Sequence, residues 1–351
     1  MRLFTPKGRQ LIGVDVSSTS VKIVEIQRQQ GLFHLASYGI EPLPPGQVVE
    51  KSIVDIEAIG DAISRLTRRL KLSSKNAATA VSGAAVITKV IDMDAKLNDT
   101  EREALIRLDA EQYIPYPLSE VNMDFEVLGP STLDDELVQV LLVASRSENV
   151  DQRVDALAFG GLSTKVVDIE SHAMERAFGL IADTLPNQPE ITALIDIGHT
   201  QTTLYIVKDG EFVYSREQLF GGIQLTEAIQ NRYGVNYEEA YYHKRDQTLP
   251  EDYRSEVLLP FVDDLIQQMT RSLQFYFSSS QYNNVDYIML CGGSAAIPDL
   301  TNLVAQKLGA TVSIADPFTN MSIAPQINAE QLAVDAPSLM VACGLALRSF
   351  D

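Results

Sequence analysis

One pattern occurs twice in this 351-residue chain and constrains it more than any other feature. Near the N-terminus the sequence reads Ile12-Gly-Val-Asp15-Val-Ser17-Ser18-Thr19-Ser-Val-Lys22-Ile-Val-Glu-Ile26. Past the midpoint it reads Ala193-Leu-Ile-Asp196-Ile-Gly198-His199-Thr200-Gln201-Thr-Thr-Leu-Tyr-Ile-Val207. Each copy is an apolar strand, an Asp, a short turn of small and polar residues with Thr four positions after the Asp, and a second apolar strand. A turn this short leaves its backbone N–H groups and hydroxyls able to close around phosphate oxygens. The Asp is anionic, as phosphate is, so it has to act through a hydrated Mg²⁺, which keeps several waters and takes only one or two carboxylates. One copy alone is an ordinary hairpin. Two copies, near the starts of the two chain halves, predict a clamp that holds one nucleotide between two similar domains.

The length suggests two or more domains. With 45% hydrophobic and 21% charged residues the chain can bury sizeable cores and is not a disordered segment. No apolar run approaches the ~20 residues of a membrane span, and the weakly basic start, Met1 to Gln10, lacks the apolar stretch of a signal peptide. A cytoplasmic protein without direct membrane insertion is expected. The formal net charge of −19 opposes binding to nucleic acid or anionic lipid. It serves solubility or attracts a basic partner segment. Cys291 and Cys343 have no metal-ligand spacing and read as buried small hydrophobes. The four histidines, His34, His172, His199 and His243, form no zinc pattern.

Along the chain, strands near 10–16, 20–27 and 32–40 form a meander, followed by a helix over 55–70 and a strand at 76–81. From about 85 to 160 an insertion has its own order. It holds a strand at 86–91, a helix opened by a capping box at Thr100–Glu103 and closed by Tyr113-Ile-Pro-Tyr-Pro117, two strands at 121–127 and 137–143, and a helix over 147–160. A strand at 163–169 leads back. The second half repeats the meander at 191–197, 202–208 and 211–219, and Gly221-Gly222 opens a helix. A long amphipathic helix over 255–280 puts Leu258, Phe261, Leu265, Met269, Leu273 and Phe277 on a core-facing stripe. A strand at 285–290 runs into Cys291-Gly292-Gly293-Ser294, and the chain closes with a helix rich in Ala and Gly from Pro337.

Five segments thus stand in order: the Asp15 hairpin, Val166–Glu170 leading into a helix, the Asp196 hairpin with Gly221-Gly222, the Gly292-Gly293-Ser294 turn, and the terminal Ala/Gly helix. This order resembles the actin-like ATPase superfamily of actin, heat-shock chaperone ATPases, sugar kinases, MreB and FtsA, and the resemblance covers nearly the whole chain. It implies a two-domain α/β fold of the actin-like, ribonuclease H-like kind, with an FtsA-type inserted subdomain. The first domain core would span 1–84 and 161–188, with 337–351 packing back onto it. The inserted subdomain would span 85–160, and the second domain 189–336 with a small subdomain at about 223–280.

The cofactors implied are ATP and Mg²⁺. Asp15 and Asp196 would hold the hydrated metal, and Ser17, Ser18 and Thr19 would form the first phosphate loop. Gly198, His199, Thr200 and Gln201 would form the second loop, with His199 where family members often carry a second Gly. Gly221 and Gly222 follow it, and Gly292, Gly293 and Ser294 match the adenosine loop. Lys22 either reaches a phosphate or is an exposed strand lysine. Glu170 either orients the attacking water or is a helix-start carboxylate favoured by the macrodipole. Tyr237–Lys244 resembles the stretch lining the adenine pocket in MreB and FtsA, with Lys244 matching and Tyr241 where those proteins have Glu. Hydrolysis is expected to be slow at most.

Leu108-Asp-Ala-Glu-Gln-Tyr113-Ile-Pro-Tyr116-Pro117-Leu118, the opening Ile12–Lys22 and Tyr38-Gly-Ile-Glu-Pro-Leu-Pro-Pro45 closely resemble the family of PilM, the actin-like protein of type IV pilus assembly. That resemblance implies a scaffold under the inner membrane. It would bind the N-terminal cytoplasmic tail of a PilN-like membrane protein and connect to pilus motor components. Tyr113, Tyr116, Pro117 and Leu118 are the candidate partner-binding residues, because rigid aromatics beside prolines commonly build peptide grooves. Self-association stays open. The other readings are a polymerising protein like FtsA or MreB and a metabolite kinase of the same superfamily. FtsA ends in a linker and an amphipathic membrane helix, which the end at Arg348–Asp351 does not resemble.

Overall fold

The computed structural model describes residues 10–132, 134–246 and 248–350, without the side chain of Asp246. The strands β1 (Ile12–Val16), β2 (Ser20–Gln29) and β3 (Leu32–Pro42) come first, then the short pair β4 (Val48–Val49) and β5 (Ser52–Ile53). The helix α1 (Ile56–Leu70), β6 (Asn76–Val81), β7 (Val86–Asp94) and α2 (Asp99–Asp109) follow. Next come β8 (Val121–Pro130), β9 (Leu137–Arg146), α3 (Ser147–Phe159), β10 (Ser163–Ile169) and α4 (Glu170–Gly179). The second meander is β11 (Ile191–Ile197), β12 (Thr202–Lys208) and β13 (Glu211–Gln218), with α5 (Gly222–Tyr233) and α6 (Tyr237–Asp246) after it. The chain closes with α7 (Leu259–Ser279), β14 (Tyr287–Cys291), α8 (Leu300–Leu308), β15 (Thr311–Ile314), β16 (Ser322–Ile323), α9 (Ala329–Asp335) and α10 (Met340–Leu347).

The chain divides into two compact units. Unit 1 runs through Ile23, resumes over Gly39–Ala173 and includes the chain from Leu345; unit 2 comprises Val24–Tyr38 and Met174–Gly344. One sheet has the order β10-β6-β1-β2-β3-β16, in which β6 pairs in parallel with both β1 and β10. The wholly buried β1 accordingly reads as an apolar run rather than an alternation.

In unit 1, α1 covers a core of Ile12, Val14, Val21, Ile23 and Ala77 with Ile59, Ile63 and Leu66. Asp55 caps this helix by accepting from the Ala58 amide at 2.9 Å, and Arg68 and Arg69 sit in its last turn, where the dipole favours cations. Two glycines let α1 and α3 meet closely. A Cβ on Gly60 would lie 2.4 Å from the Phe159 ring, and one on Gly160 would lie 2.4 Å from Ile63 Cγ2.

The inserted part of unit 1 is a separate three-stranded antiparallel sheet, β7-β9-β8. Ile106 of α2 packs on Val140 and Leu142 of its central strand. The capping box of α2 lies two residues before the expected one. Asn98 accepts from the Glu101 amide at 3.1 Å, and Glu101 accepts from the Asn98 amide at 2.9 Å. Asn98 adopts the extended backbone that an N-cap needs and has a Glu three residues on, so the helix starts before Thr100.

Unit 2 carries the sheet β13-β12-β11-β14-β15, with β11 and β14 parallel. Its core joins Ile195, Leu204 and Ile288 to α5 and α7. The expected helix over 255–280 begins as a π-helical turn at Arg254–Leu258 and becomes α-helical at Leu259. Of the expected stripe, Leu258, Phe261, Leu265, Met269 and Leu273 are buried and Phe277 packs half-buried on the same core, with its neighbour Tyr276 buried beside it. The closing segment is broken into α9, a 3₁₀ turn and α10. Ala329–Leu347 is long and apolar enough to match a membrane span, against the expectation of no such run, and 67% of its most apolar window is buried inside the fold. Both cysteines are free and buried, as expected.

The α1–α3 contact is testable. Gly160 has an ordinary φ of −71°, so a change to Ala there adds only the Cβ. Gly160→Ala is expected to lower unfolding free energy in urea by about 1–3 kcal/mol through overpacking. A double-mutant cycle with Ile63→Gly should recover part of that loss, because it removes both the opposing Cγ2 and the Ile63 Cβ, which lies 2.5 Å from the added Cβ.

Candidate functional site

The two hairpins close with the same hydrogen bond at the same offset from their Asp. In unit 1 the Ser17 amide donates to the Ser20 carbonyl at 3.0 Å; in unit 2 the Gly198 amide donates to the Gln201 carbonyl at 2.9 Å. The sequence repeat is therefore a repeat of geometry. Among the described residues, no protein group accepts from the amides of Ser18 and Thr19 or of His199 and Thr200. Four turn amides are left for an external acceptor, which suits an anion.

The unit 1 half-site is a charge cluster. Lys22 Nζ sits 2.9 Å from Asp15 Oδ2 and 3.2 Å from Ser17 Oγ, with its side chain only 12% exposed. It is not an exposed strand lysine. Glu170 is the first residue of α4, and Lys51 Nζ lies 2.9 Å from its Oε2. Lys51 comes from the two-residue turn between β4 and β5, where Glu50 and Lys51 both have positive φ, 47° and 66°. That handedness matches the twist of a tight hairpin. The turn is held by Arg153 of α3, whose Nη2 donates to the Lys51 carbonyl at 2.9 Å. Burial lowers the pKa of Arg153, opposed by the charges of Glu170 and Asp15. Three cations thus surround two carboxylates within an acidic chain. No local sequence pattern marks Lys51 or Arg153, and Lys51 lies 119 positions from the Glu170 it pairs with.

The unit 2 half-site is built from bare backbone. The Gly198 carbonyl accepts from the Gly222 amide at 3.0 Å and from Ser294 Oγ at 3.2 Å, and the His199 carbonyl accepts from the Ile223 amide at 2.7 Å. The turn carbonyls thereby satisfy the first orphan amides of α5. A Cβ on Gly221 would lie 2.6 Å from the Gly198 carbonyl oxygen, and one on Gly222 would lie 2.6 Å from Ser294 Oγ. Gly221 and Gly222 hold the loop in place, since the Gly222 amide is already used. Gly292 has φ +88°, and its Cβ would lie 2.3 Å from Asp196 Oδ1. A Cβ on Gly293 would meet nothing within 4 Å, which leaves room for a ligand beside that backbone.

His199 has ordinary backbone geometry, so the loop needs no second Gly there. Its Nε2 shares a hydrogen bond of 2.8 Å with the Tyr237 hydroxyl, and burial and the charge of Lys244 lower its pKa to about 4. Lys244 Nζ donates to the Gly222 carbonyl at 3.0 Å and to Thr226 Oγ1 at 2.7 Å, and burial alone lowers its pKa to about 8. Lys244 is thus a buried ammonium on neutral partners, a setting that a nearby anion stabilises. Tyr241 lies beside it, the ring centre 5.9 Å from Nζ. Each half-site therefore suits phosphate oxygens, with free turn amides, a buried cation and a hairpin Asp. Among the described residues no three His, Cys, Asp or Glu side chains gather to ligate a metal directly.

The four candidate partner-binding residues do not act alike. Tyr113 packs inside the inserted subdomain against Ile106, Ala110 and Ile114, and Leu118 packs against the same Ala110–Ile114 cluster. Tyr116 is 42% exposed, and Pro117 is exposed. Tyr116 lines a cavity of about 200 Å³ with Ile114, Val121, Ala144, Arg146 and Asn149. The one charged residue on its wall is Arg146, stacked over Tyr116 at 5.6 Å and paired with Glu148 at 3.4 Å.

Gly292→Ala is expected to cost at least about 1–3 kcal/mol in chemical denaturation, since a left-handed backbone and the Asp196 contact both oppose a Cβ. His199 gives a pH signature. The unfolded imidazole takes its proton near pH 6.5 and the folded one only near pH 4. Between those values the unfolded state binds more protons, so stability falls as pH falls. A His199→Gln variant should show a flatter melting temperature across that window.

The family model of the type IV pilus assembly protein PilM matches residues 13–350. The structure is similar to that of the PilM–PilN type IV pilus biogenesis complex, with 28% identity, a TM-score of 0.81, and 99% of this chain and 100% of that chain covered. It is also similar in fold to ethanolamine utilization protein EutJ from Carboxydothermus hydrogenoformans, at 16% identity and a TM-score of 0.58, covering 96% of this chain and 89% of that one. The fold is accordingly actin-like, and the chain belongs to the family of the type IV pilus assembly protein PilM.

Proposed function

We propose that this chain is an actin-like scaffold of type IV pilus assembly that binds ATP–Mg²⁺ and captures the N-terminal cytoplasmic tail of a PilN-like inner-membrane protein. The observation that carries the partner reading is the likeness over 99% of the chain to a PilM–PilN complex. The Tyr116 cavity supports it locally. Its apolar wall and small volume suit one or two aliphatic side chains of an extended peptide, with Arg146 available to a backbone carbonyl or carboxylate. The protein works in the cytoplasm and reaches the inner membrane through this tail. The inserted segment 85–160 carries most of the cavity wall and serves as the partner-binding subdomain.

The nucleotide reading rests on the chemistry of each half-site. Asp15 and Asp196 hold hydrated Mg²⁺, the turn amides and Lys22 hold phosphate oxygens, and Gly292-Gly293-Ser294 meets the adenosine. Bound ATP–Mg²⁺ supplies the charge that Lys22 and Lys244 neutralise. Glu170 is braced by Lys51 and orients water poorly while so paired, which keeps hydrolysis slow.

One titration series tests both parts. By fluorescence anisotropy, Tyr116→Ala is expected to weaken binding of the partner's N-terminal peptide about tenfold or more, with ATP affinity by calorimetry unchanged. Asp15→Ala or Asp196→Ala is expected to weaken Mg²⁺-dependent ATP binding by a similar factor, as loss of a charged hydrogen-bond acceptor does. Leu118 is unsuitable as a probe because it belongs to the subdomain core. Peptide affinity unchanged in Tyr116→Ala would put the groove elsewhere, and ATP affinity unchanged in both Asp variants would remove the clamp.

A further inference from the structure

The three-stranded sheet of unit 1 has two faces of opposite character. Register assigns them. Val140 and Leu142 of the central strand β9 point toward α2 and are fully buried. Leu141 and Val143 point the other way and are only half-buried, although they lie in the middle of a sheet. Leu141 pairs across to Val90 of β7 and to Glu126 of β8; Val143 pairs to Thr88 and Asp124; Gln139 pairs to Asp92. Val90 is 52% exposed, and neither core cluster of this subdomain includes Val90, Leu141 or Val143. The outer face is thus an apolar strip, Val90–Leu141–Val143, flanked by the exposed carboxylates Asp92, Asp124 and Glu126. No Lys or Arg of the three strands projects on this side.

We propose that this outer sheet face docks a basic amphipathic segment of a protein partner, distinct from the peptide assigned to the Tyr116 cavity. Charge complementarity selects the occupant. A helix with apolar residues at i, i+3, i+4 and i+7 covers the strip, and Lys or Arg on its flanks meets the carboxylates on either side. A second copy of this chain would bring carboxylates of its own against the same rows, at a net charge of −19 per molecule. An anionic lipid surface is repelled for the same reason. The proposal does not depend on nucleotide binding or on the cavity, whose wall includes neither Leu141 nor Val143.

The test uses the full chain and a fluorescein-labelled synthetic helix with Leu along one face and Lys along both flanks. A scrambled peptide of the same composition is the control. The amphipathic peptide is expected to bind at least about tenfold more tightly than the scrambled one, since only it presents a continuous apolar strip. Neutralising the flank with Asp124→Asn and Glu126→Gln should weaken it about fivefold, as two exposed ion pairs allow, and flatten its salt dependence. Leu141→Thr, which keeps a strand-forming residue, should weaken it without changing salt dependence. The matched pair Glu256→Gln and Asp264→Asn, exposed in unit 2 and equal in charge change, should have no effect. An equal loss in that control pair, or no loss in the sheet variants, overturns the proposal. So does a dimer in sedimentation velocity that Leu141→Thr abolishes, which would make a second copy the occupant.

Discussion

The unit 2 half-site depends on one carbonyl. The oxygen of Gly198 accepts from the Gly222 amide and from the Ser294 hydroxyl, so the hairpin turn, the start of α5 and the turn after β14 are fastened at a single atom. Buried backbone groups have to be paired, and here the pairing of one loop is supplied by two others. Side chains are excluded as a consequence. Gly221, Gly222 and Gly292 stand where three pieces of backbone approach within about one van der Waals contact, and any Cβ would collide with a carbonyl, a hydroxyl or Asp196. The glycines of these turns are first of all packing requirements, and the backbone at Gly293 is what that packing leaves open.

Unit 1 solves the corresponding problem with charge instead of backbone. Asp15 and Glu170 are each held by a lysine at 2.9 Å, and Arg153 anchors the turn that brings Lys51 to Glu170. A buried guanidinium persists because backbone carbonyls of Asn149 and Lys51 and two nearby carboxylates offset its desolvation. The two half-sites are equivalent in their hairpins and different in what braces them. Unit 2 presents a buried lysine on neutral partners, unit 1 a set of paired charges that a bound phosphate would have to rearrange.

Sequence reasoning reached the parts of this molecule that are local. The paired hairpins, the meanders and α1 follow from periodicity and turn chemistry. The reading of the α2 cap fell two residues late because Asn98 and Thr100 are both good caps with Glu three residues on, and only backbone geometry chooses between them. The bracing of Glu170 is not legible in the sequence, since Lys51 reaches it across 119 positions of chain and Arg153 acts only by holding the Lys51 turn, with no pattern to link the three. Tyr113 looked like a surface aromatic beside prolines. It packs inward because the 3₁₀ turn Ala110–Gln112 after α2 carries it onto Ile106 and Ala110, leaving Tyr116 at the cavity.

Net charge was the least informative quantity, and the structure explains why. A value of −19 suggests a uniformly acidic surface, yet the unit 1 half-site holds three cations against two carboxylates, and the cavity wall carries only Arg146. Part of the acidic excess stands on the outer face of the β7-β9-β8 sheet. Strand alternation does the sorting. A period of two sends Val140 and Leu142 inward and Leu141 and Val143 outward. The neighbouring strands, which have the same period, add Asp92, Asp124 and Glu126 to the outward side only. An apolar strip bordered by one sign of charge is a costly surface to leave in water. Its flanking carboxylates keep it soluble and, by the same charges, determine which partner can cover it.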